Sequence, residues 1–238
     1  MSNAGNEQVA ARGSGAVGFN PTTGVGVPWR LEVHTELDST SDELVRLAMS
    51  LDIDPDGREG DCLAVMALRQ TKGRGQFGRI WQAPEGNLNL SLILRPSTAL
   101  RDAPQWSLAT GVAVTEALRD LLPDLRLKYP NDLMLNGSKL GGILVESTAV
   151  QGELAWLVIG IGINVAAAPY LPERPTIALA ERGITIAPEK LAWQILFRIG
   201  AWRAIIEDKG FAPVRAAWRL LAVDPERAET HLRQWEKA

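Results

Sequence analysis

Residues 70–81, Q-T-K-G-R-G-Q-F-G-R-I-W, set three glycines (Gly73, Gly75, Gly78) among three cations (Lys72, Arg74, Arg79). Glycine lets the main chain come close to a ligand, and arginine presents a planar fork of donors matched to carboxylate and phosphate. The combination suits a loop that wraps an anion. A plain basic surface turn is the competing reading, and position decides between them. Residues 63–68, L-A-V-M-A-L, read as a short buried strand, so the loop begins where a strand ends, a usual place for a site in α/β architectures. A second stretch, 127–146, sets Lys139 beside Gly141 and Gly142, just past an Asn136-Gly137 hairpin signal. A lysine next to two glycines on a strand gives a ligand bare backbone and a point charge. A hairpin with an incidental lysine accounts for the same residues equally well. In a third stretch, 155–165, Gly160 and Gly162 interrupt an Ile/Val run, which marks a bulge or a close neighbour. Asn164 at its end needs a partner if buried.

Several elements must position these residues. Globular sequence starts at Trp29, with Leu31 and Val33 alternating as in a strand. In D-S-T-S-D-E-L, 38–44, Thr40 and Glu43 have the spacing of a helix capping box, followed by Leu44, Leu47 and Ala48 on one face. That start also offers free backbone N–H groups, so Ser39 and Thr40 could bond a polar ligand. Leucine at every second position of 87–94 reads as a half-buried strand, and 106–122 as a helix ending before Pro123. Strands are expected over 133–135 and 143–145. Pro188 opens a long helix that Gly210 closes, 211–221 form a shorter one, and Asp224-Pro225 start a polar last helix running to Ala238.

The 238 residues are 46% hydrophobic and 22% charged, enough for one sizeable soluble domain. A net charge of −3 without a long basic run gives no sign of a nucleic-acid partner. Two histidines and one cysteine, Cys62, are too few for the common zinc clusters or an internal disulfide. No apolar stretch is long enough to span a bilayer, and the first residues lack a signal peptide's charged-then-apolar pattern. A cytoplasmic location is the expectation, and residues 1–28, rich in Gly, Ser, Asn and Thr, are expected to be a disordered leader.

Three motif blocks together are far more specific than any alone. G-R-G-Q-F-G-R-I-W (73–81), K-Y-P-N-D (128–132) with K-L-G-G-I-L-V-E (139–146), and G-I-G-I-N-V (160–165) resemble, in order and spacing, the motifs of biotin–protein ligases. Asp38-Ser39-Thr40 is similar to the same family, and the likeness runs from about Trp29 to Leu221. It implies an α+β catalytic domain over 29–221, a mixed sheet flanked by helices of the class II aminoacyl-tRNA synthetase kind, with 222–238 as a polar helical tail. It implies that biotin and ATP give biotinyl-adenylate, and that a lysine of a biotin carboxyl-carrier protein (an acetyl-CoA carboxylase subunit or similar) then takes the biotinyl group. Carried over by motif, Lys139, Arg74 and Asp132 are catalytic. Lys139 neutralises the biotin carboxylate and α-phosphate, and Asp132 orients the acceptor amine. Ser39, Thr40, Gln70, Gly73, Arg74, Gly142 and Gly160 join Lys139 around biotin, and Arg74, Arg79, Trp81, Asn131 and Asn164 join it around the nucleotide. Trp81 lies over the ligand as a lid, and Asn164 helps hold Mg²⁺. The loop is expected to order only on ligand, because its like charges repel and little apolar surface holds it down.

The chain departs from the family pattern in places. Tyr129 replaces a tryptophan, Ser41 an asparagine, and Gln76-Phe77 the second loop arginine, with Phe77 able to compensate by packing the loop down. Neither the small C-terminal β-barrel nor an N-terminal helix-turn-helix is read in the sequence, so no DNA partner is expected, nor a membrane; a homodimer stays open. Lipoate or octanoate ligases of the same fold, and a non-catalytic biotin-binding protein, are the rival readings.

Overall fold

A computed structural model describes residues 29–49 and 62–235. Its strands are β1 (Trp29–Leu37), β2 (Cys62–Gln70), β3 (Leu88–Leu94), β4 (Arg126–Lys128), β5 (Asp132–Leu135), β6 (Ser138–Val150) and β7 (Glu153–Ile163). Its helices are α1 (Thr40–Met49), α2 (Gln105–Ala117), α3 (Pro188–Lys209), α4 (Ala212–Leu221) and α5 (Pro225–Leu232). The strands form one mixed sheet in the order β1-β2-β3-β7-β6-β5-β4. Among these described strands only β1 and β2 pair in parallel, and α1 lies between them in sequence. A parallel pair needs such a crossover.

Alternation along the strands gives the sheet two unequal faces. Leu88, Leu90, Leu92 and Leu94 of β3, with Leu157, Ile159, Ile161 and Ile163 of β7, join the large core under α2, α3 and α4. The intervening positions turn to α1, where Leu44 and Ala48 meet Leu63, Val65, Ile93 and Val158. A single ten-residue helix covers only part of that face. The uncovered part is where the site lies.

Several expectations need correcting. β3 is buried at every position rather than half-buried, because its polar face carries Asn89 and Ser91, each 1% exposed. The helix expected up to Pro123 ends at Ala117, where Leu118 leaves helical geometry (φ −101, ψ 1); turns then carry Leu118 and Leu122 into the core. The last helix stops at Leu232 and gives way to a 3-10 turn over Arg233–Trp235. No Thr40–Glu43 capping box forms. The helix begins at Thr40, Ser39 Oγ accepts from the Asp42 N–H (3.4 Å), and Glu43 pairs with Arg46. The Asn136-Gly137 hairpin does form, with φ of 50 and 80, the left-handed pair a type I′ turn requires.

Ala228 and Leu232 of α5 are buried in the main core, and Tyr129 stacks on His231 with centroids 4.3 Å apart. The expected leader, 1–28, lies outside the described residues, among which no helix is long and apolar enough to cross a membrane.

Candidate active site

Register explains why the open part of the α1 face can hold a ligand. Asn89, Gly162 and Gly142 stand side by side across β3, β7 and β6, and Ser91, Gly160 and Leu144 form the next row. Glycine at three of these six positions leaves a strip of bare backbone. A Cβ on Gly162 would lie 2.4 Å from the indole of Trp81, and one on Gly160 would lie 3.2 Å from Ser41 Oγ. The glycines therefore make room for other groups rather than for sharp turns.

One end of the strip is a neutral hydrogen-bond network. The Thr40 N–H donates to Gln70 Oε1 at 2.8 Å, which fixes the amide's orientation, and the Thr40 hydroxyl donates to the same oxygen at 3.1 Å. A hydroxyl has one proton, so the 2.7 Å contact of Thr40 Oγ1 with Ser91 must use the Ser91 proton, and the 3.0 Å contact of Ser91 with Ser41 the Ser41 proton. Gln70 Nε2 and Trp81 Nε1 donate to Asn89 Oδ1 (3.2 and 3.3 Å), and Asn89 Nδ2 donates to the Ala67 carbonyl. The hydroxyl donors are thus committed to one another. What remains for a ligand is oxygen lone pairs, suited to a ligand that brings its own N–H groups.

The other end is charged. A β-bulge sits where β5 meets β6: Leu133 faces Gly141 while Met134 faces Lys139. Such a bulge re-aims side chains, and Lys139 Nζ comes to lie 3.2 Å from where a Cβ on Gly142 would be. Lys139, 9% exposed, donates a short hydrogen bond to Asp132 Oδ1. Arg174 Nη1 stands 4.0 Å from Asp132 Oδ2. Burial holds the Lys139 ammonium below its ordinary pKa; Asp132 opposes that shift, and the positive charges of Arg174 and Arg79 add to it. Lys139 and Arg174 thus share one carboxylate, with the charge of Arg79 also felt at Lys139, an arrangement that favours an incoming anion.

The glycine loop is a small hairpin over the cavity. Trp81 N–H donates to the Gly73 carbonyl (2.9 Å) and Gly75 N–H to the Arg79 carbonyl (2.7 Å). Its tip turns through Phe77 and Gly78 at φ 59 and 72. Two expectations for this loop fail. Two of its three cations are not left to repel one another, since Lys72 pairs with Asp38 at 2.8 Å and Arg74 with both Asp42 (2.8 Å) and Glu146 (3.1 Å). Nor does Phe77 pack the loop down, being 92% exposed. The Trp81 indole lies against the sheet at Gly162.

The structure brings Ser39, Thr40, Gln70, Arg74, Arg79, Trp81, Asn131, Asp132, Lys139, Gly142 and Gly160 around one cavity. Asn131 also ties the Pro130 turn to β6, donating to the Ile143 carbonyl at 2.9 Å. Gly73 and Asn164 are not part of the lining. Gly73 seats the base of the loop, where a Cβ would meet the Trp81 carbonyl at 2.6 Å. Asn164, 1% exposed, donates to the Ile177 carbonyl and leaves its Oδ1 without a partner. This does not fit the expected Mg²⁺ role. Mg²⁺ demands several oxygen ligands in octahedral array, whereas Asn164 offers one enclosed carbonyl, and no His/Cys/Asp/Glu cluster among the described residues could hold a metal. The motifs missed Asn89, Ser91, Arg174 and the two partners of Arg74. The polar alternates of N-L-N-L-S-L signalled the first two but read as a solvent face.

Comparison with known proteins agrees with this geometry. The biotin/lipoate A/B protein ligase family matches residues 59–164. A biotin–[acetyl-CoA-carboxylase] ligase of Paracoccus denitrificans is 34% identical over 190 residues, 76% of each chain. Among solved structures, the biotin protein ligase of Leishmania major in complex with biotinyl-5-AMP superposes with a TM-score of 0.67 at 25% identity, covering 81% of both chains. That of Aquifex aeolicus in complex with biotin and ATP does so at 0.65 and 29%, covering 81% of this chain and 78% of that one. By sequence and fold alike, the chain belongs to the biotin–protein ligases of the biotin/lipoate ligase family.

Proposed function

We propose that this protein is an ATP-dependent ligase that joins biotin to a lysine of a carrier protein through biotinyl-adenylate. The observation that carries the reading is the two-ended cavity: oxygen lone pairs at Thr40, Ser41 and Ser91, cations at Lys139, Arg174 and Arg79, and glycine backbone between them. A ureido group brings two N–H donors to the first end, the apolar rings lie along the glycine strip, and the carboxylate reaches the second. Relatives crystallised with biotin and ATP and with biotinyl-5-AMP support the assignment of ligands.

In the first step a biotin carboxylate oxygen attacks the α-phosphorus of ATP and pyrophosphate leaves. Two anions must meet, and fixed cations lower that cost more than any other device. Lys139 is held ready by Asp132. In the second step a lysine amine of the carrier attacks the acyl carbon, AMP leaves and the amine gives up a proton. Asp132 is engaged with Lys139 through Oδ1, so Oδ2 is the oxygen that orients the incoming amine. The adenylate is a mixed anhydride that water destroys, and the glycine hairpin shields it. We place the reaction in the cytoplasm, with a biotin carboxyl-carrier protein as acceptor.

Purified protein with ATP and, separately, biotin, lipoate or octanoate tests this. Pyrophosphate release should need biotin, and label should pass to a biotin-carrier domain. Release with lipoate or octanoate instead, or none with any acid, would overturn the reading.

A further inference from the structure

Among the cations around the cavity, Arg174 comes from none of the motif blocks. It sits between β7 and α3, in a segment fastened to the lysine's own backbone. Lys139 N–H donates to the Pro175 carbonyl at 2.9 Å, and Ile177 N–H donates to the Lys139 carbonyl at 3.0 Å. The Cα of Arg174 is therefore held next to residues anchored on Lys139. Arg174 lines the cavity with Asp132 and Lys139, yet its guanidinium is poorly engaged there. Nη1 stands 4.0 Å from Asp132 Oδ2, too far for a hydrogen bond, and Nε is buried with no partner. A guanidinium placed only to hold Asp132 would make a close, bidentate pair. This one has no close hydrogen-bond partner among the described residues. The loop tip that also lines the cavity contributes Gln76, which carries no charge.

We propose that Arg174 is a phosphate-binding residue of the ligase site, gripping the α-phosphate of ATP and then the phosphate of the acyl-adenylate while Lys139 keeps the carboxylate side. The proposal rests on the ligase reading above. It assigns the two cations different halves of the reacting group. Arg174 retains the activated intermediate until the carrier arrives, and biotin binds without its help.

The test compares the parent protein with Arg174→Gln and Arg174→Lys. It measures biotin affinity without nucleotide, KM for ATP, the dissociation rate of preformed adenylate, and the melting temperature. Losing a hydrogen-bonded charge should speed adenylate dissociation and raise KM for ATP by on the order of tenfold in Arg174→Gln. Biotin affinity should stay within about twofold, and Arg174→Lys should fall between the two, since lysine keeps the charge but not the fork. Adenylate release and KM unchanged in Arg174→Gln would overturn the proposal. So would a parallel fall in biotin affinity and melting temperature, which would make Arg174 a support for Asp132. A parent that forms no adenylate from biotin and ATP would bring down the ligase reading and this proposal with it, a result visible before any variant is measured.

Discussion

At one end of the cavity, Thr40, Ser41, Gln70 and Ser91 spend donors on one another and on Asn89, whose own amide donates to the Ala67 carbonyl. At the other, Lys139 and Arg174 share the carboxylate of Asp132, and the charge of Arg79 is felt at Lys139. The first network is complete before a ligand arrives, so its shape is set by folding alone. The second is left with excess positive charge, and only an anion balances it. Recognition of an uncharged head group should therefore depend on geometry and be indifferent to salt, whereas capture of carboxylate and phosphate should depend on charge.

The sharpest way to break this contrast is Lys139→Ala. It removes the most enclosed charge and should cut biotin-dependent pyrophosphate release by at least ~100-fold, on the scale of losing a preorganised electrostatic group. Release within tenfold of the parent would mean that the charged end does not work through this lysine. Thr40→Val tests the neutral end. It removes the hydroxyl that Ser91 donates to while leaving the Thr40 N–H on Gln70. Biotin affinity by calorimetry should fall about tenfold, one to two hydrogen bonds' worth, and the loss should be the same at low and high salt. A strongly salt-dependent loss would contradict the division.

Gln76→Arg adds a cation to the loop tip. A hydrogen bond to a charged group is worth roughly 1 kcal/mol more than a neutral one, so adenylate dissociation should slow about fivefold and labelling of a bystander protein should drop. Phe77 cannot mask the effect, because it faces solvent. Unchanged release would show that the tip does not reach the phosphate. The smallest effect is on stability. Folding lowers the Lys139 pKa, with burial as the main cause, so the unfolded chain binds more protons between the folded value and the ordinary value near 10.4. Stability must then rise with pH through that window. The stability of the parent relative to Lys139→Met, from urea unfolding, should increase steadily as pH approaches 10.4; a flat difference would mean that Lys139 is not desolvated.

Much of this was legible in the sequence because the signals are local. Glycines 160 and 162 in a β run, the Asn136-Gly137 turn, and the strand leading into the 70–81 loop each depend on neighbours within a few residues. What escaped was set by packing between distant segments. The polar alternates of β3 look like a solvent face unless the chain is known to bring the α1 start and Gln70 against them. The bulge at Lys139 depends on pairing with β5. Arg174 lies in a stretch whose position comes from two backbone bonds to Lys139, which no spacing reveals. Asn164 is legible as an enclosed polar group that needs a partner, but the sequence does not show that it lies outside the cavity lining.

Arg74 is gripped by Asp42 from α1 and Glu146 from β6, all three partly open to water. An arriving phosphate does not meet a bare cation there. It must displace carboxylates, so at that residue binding is an exchange of one counter-ion for another. An exchange nearly conserves the local charge balance, and bulk electrolyte screens the old pair and the new one alike. Arg74 is thereby buffered: its share of ligand affinity should stay nearly constant across ionic strengths that weaken an unpaired guanidinium.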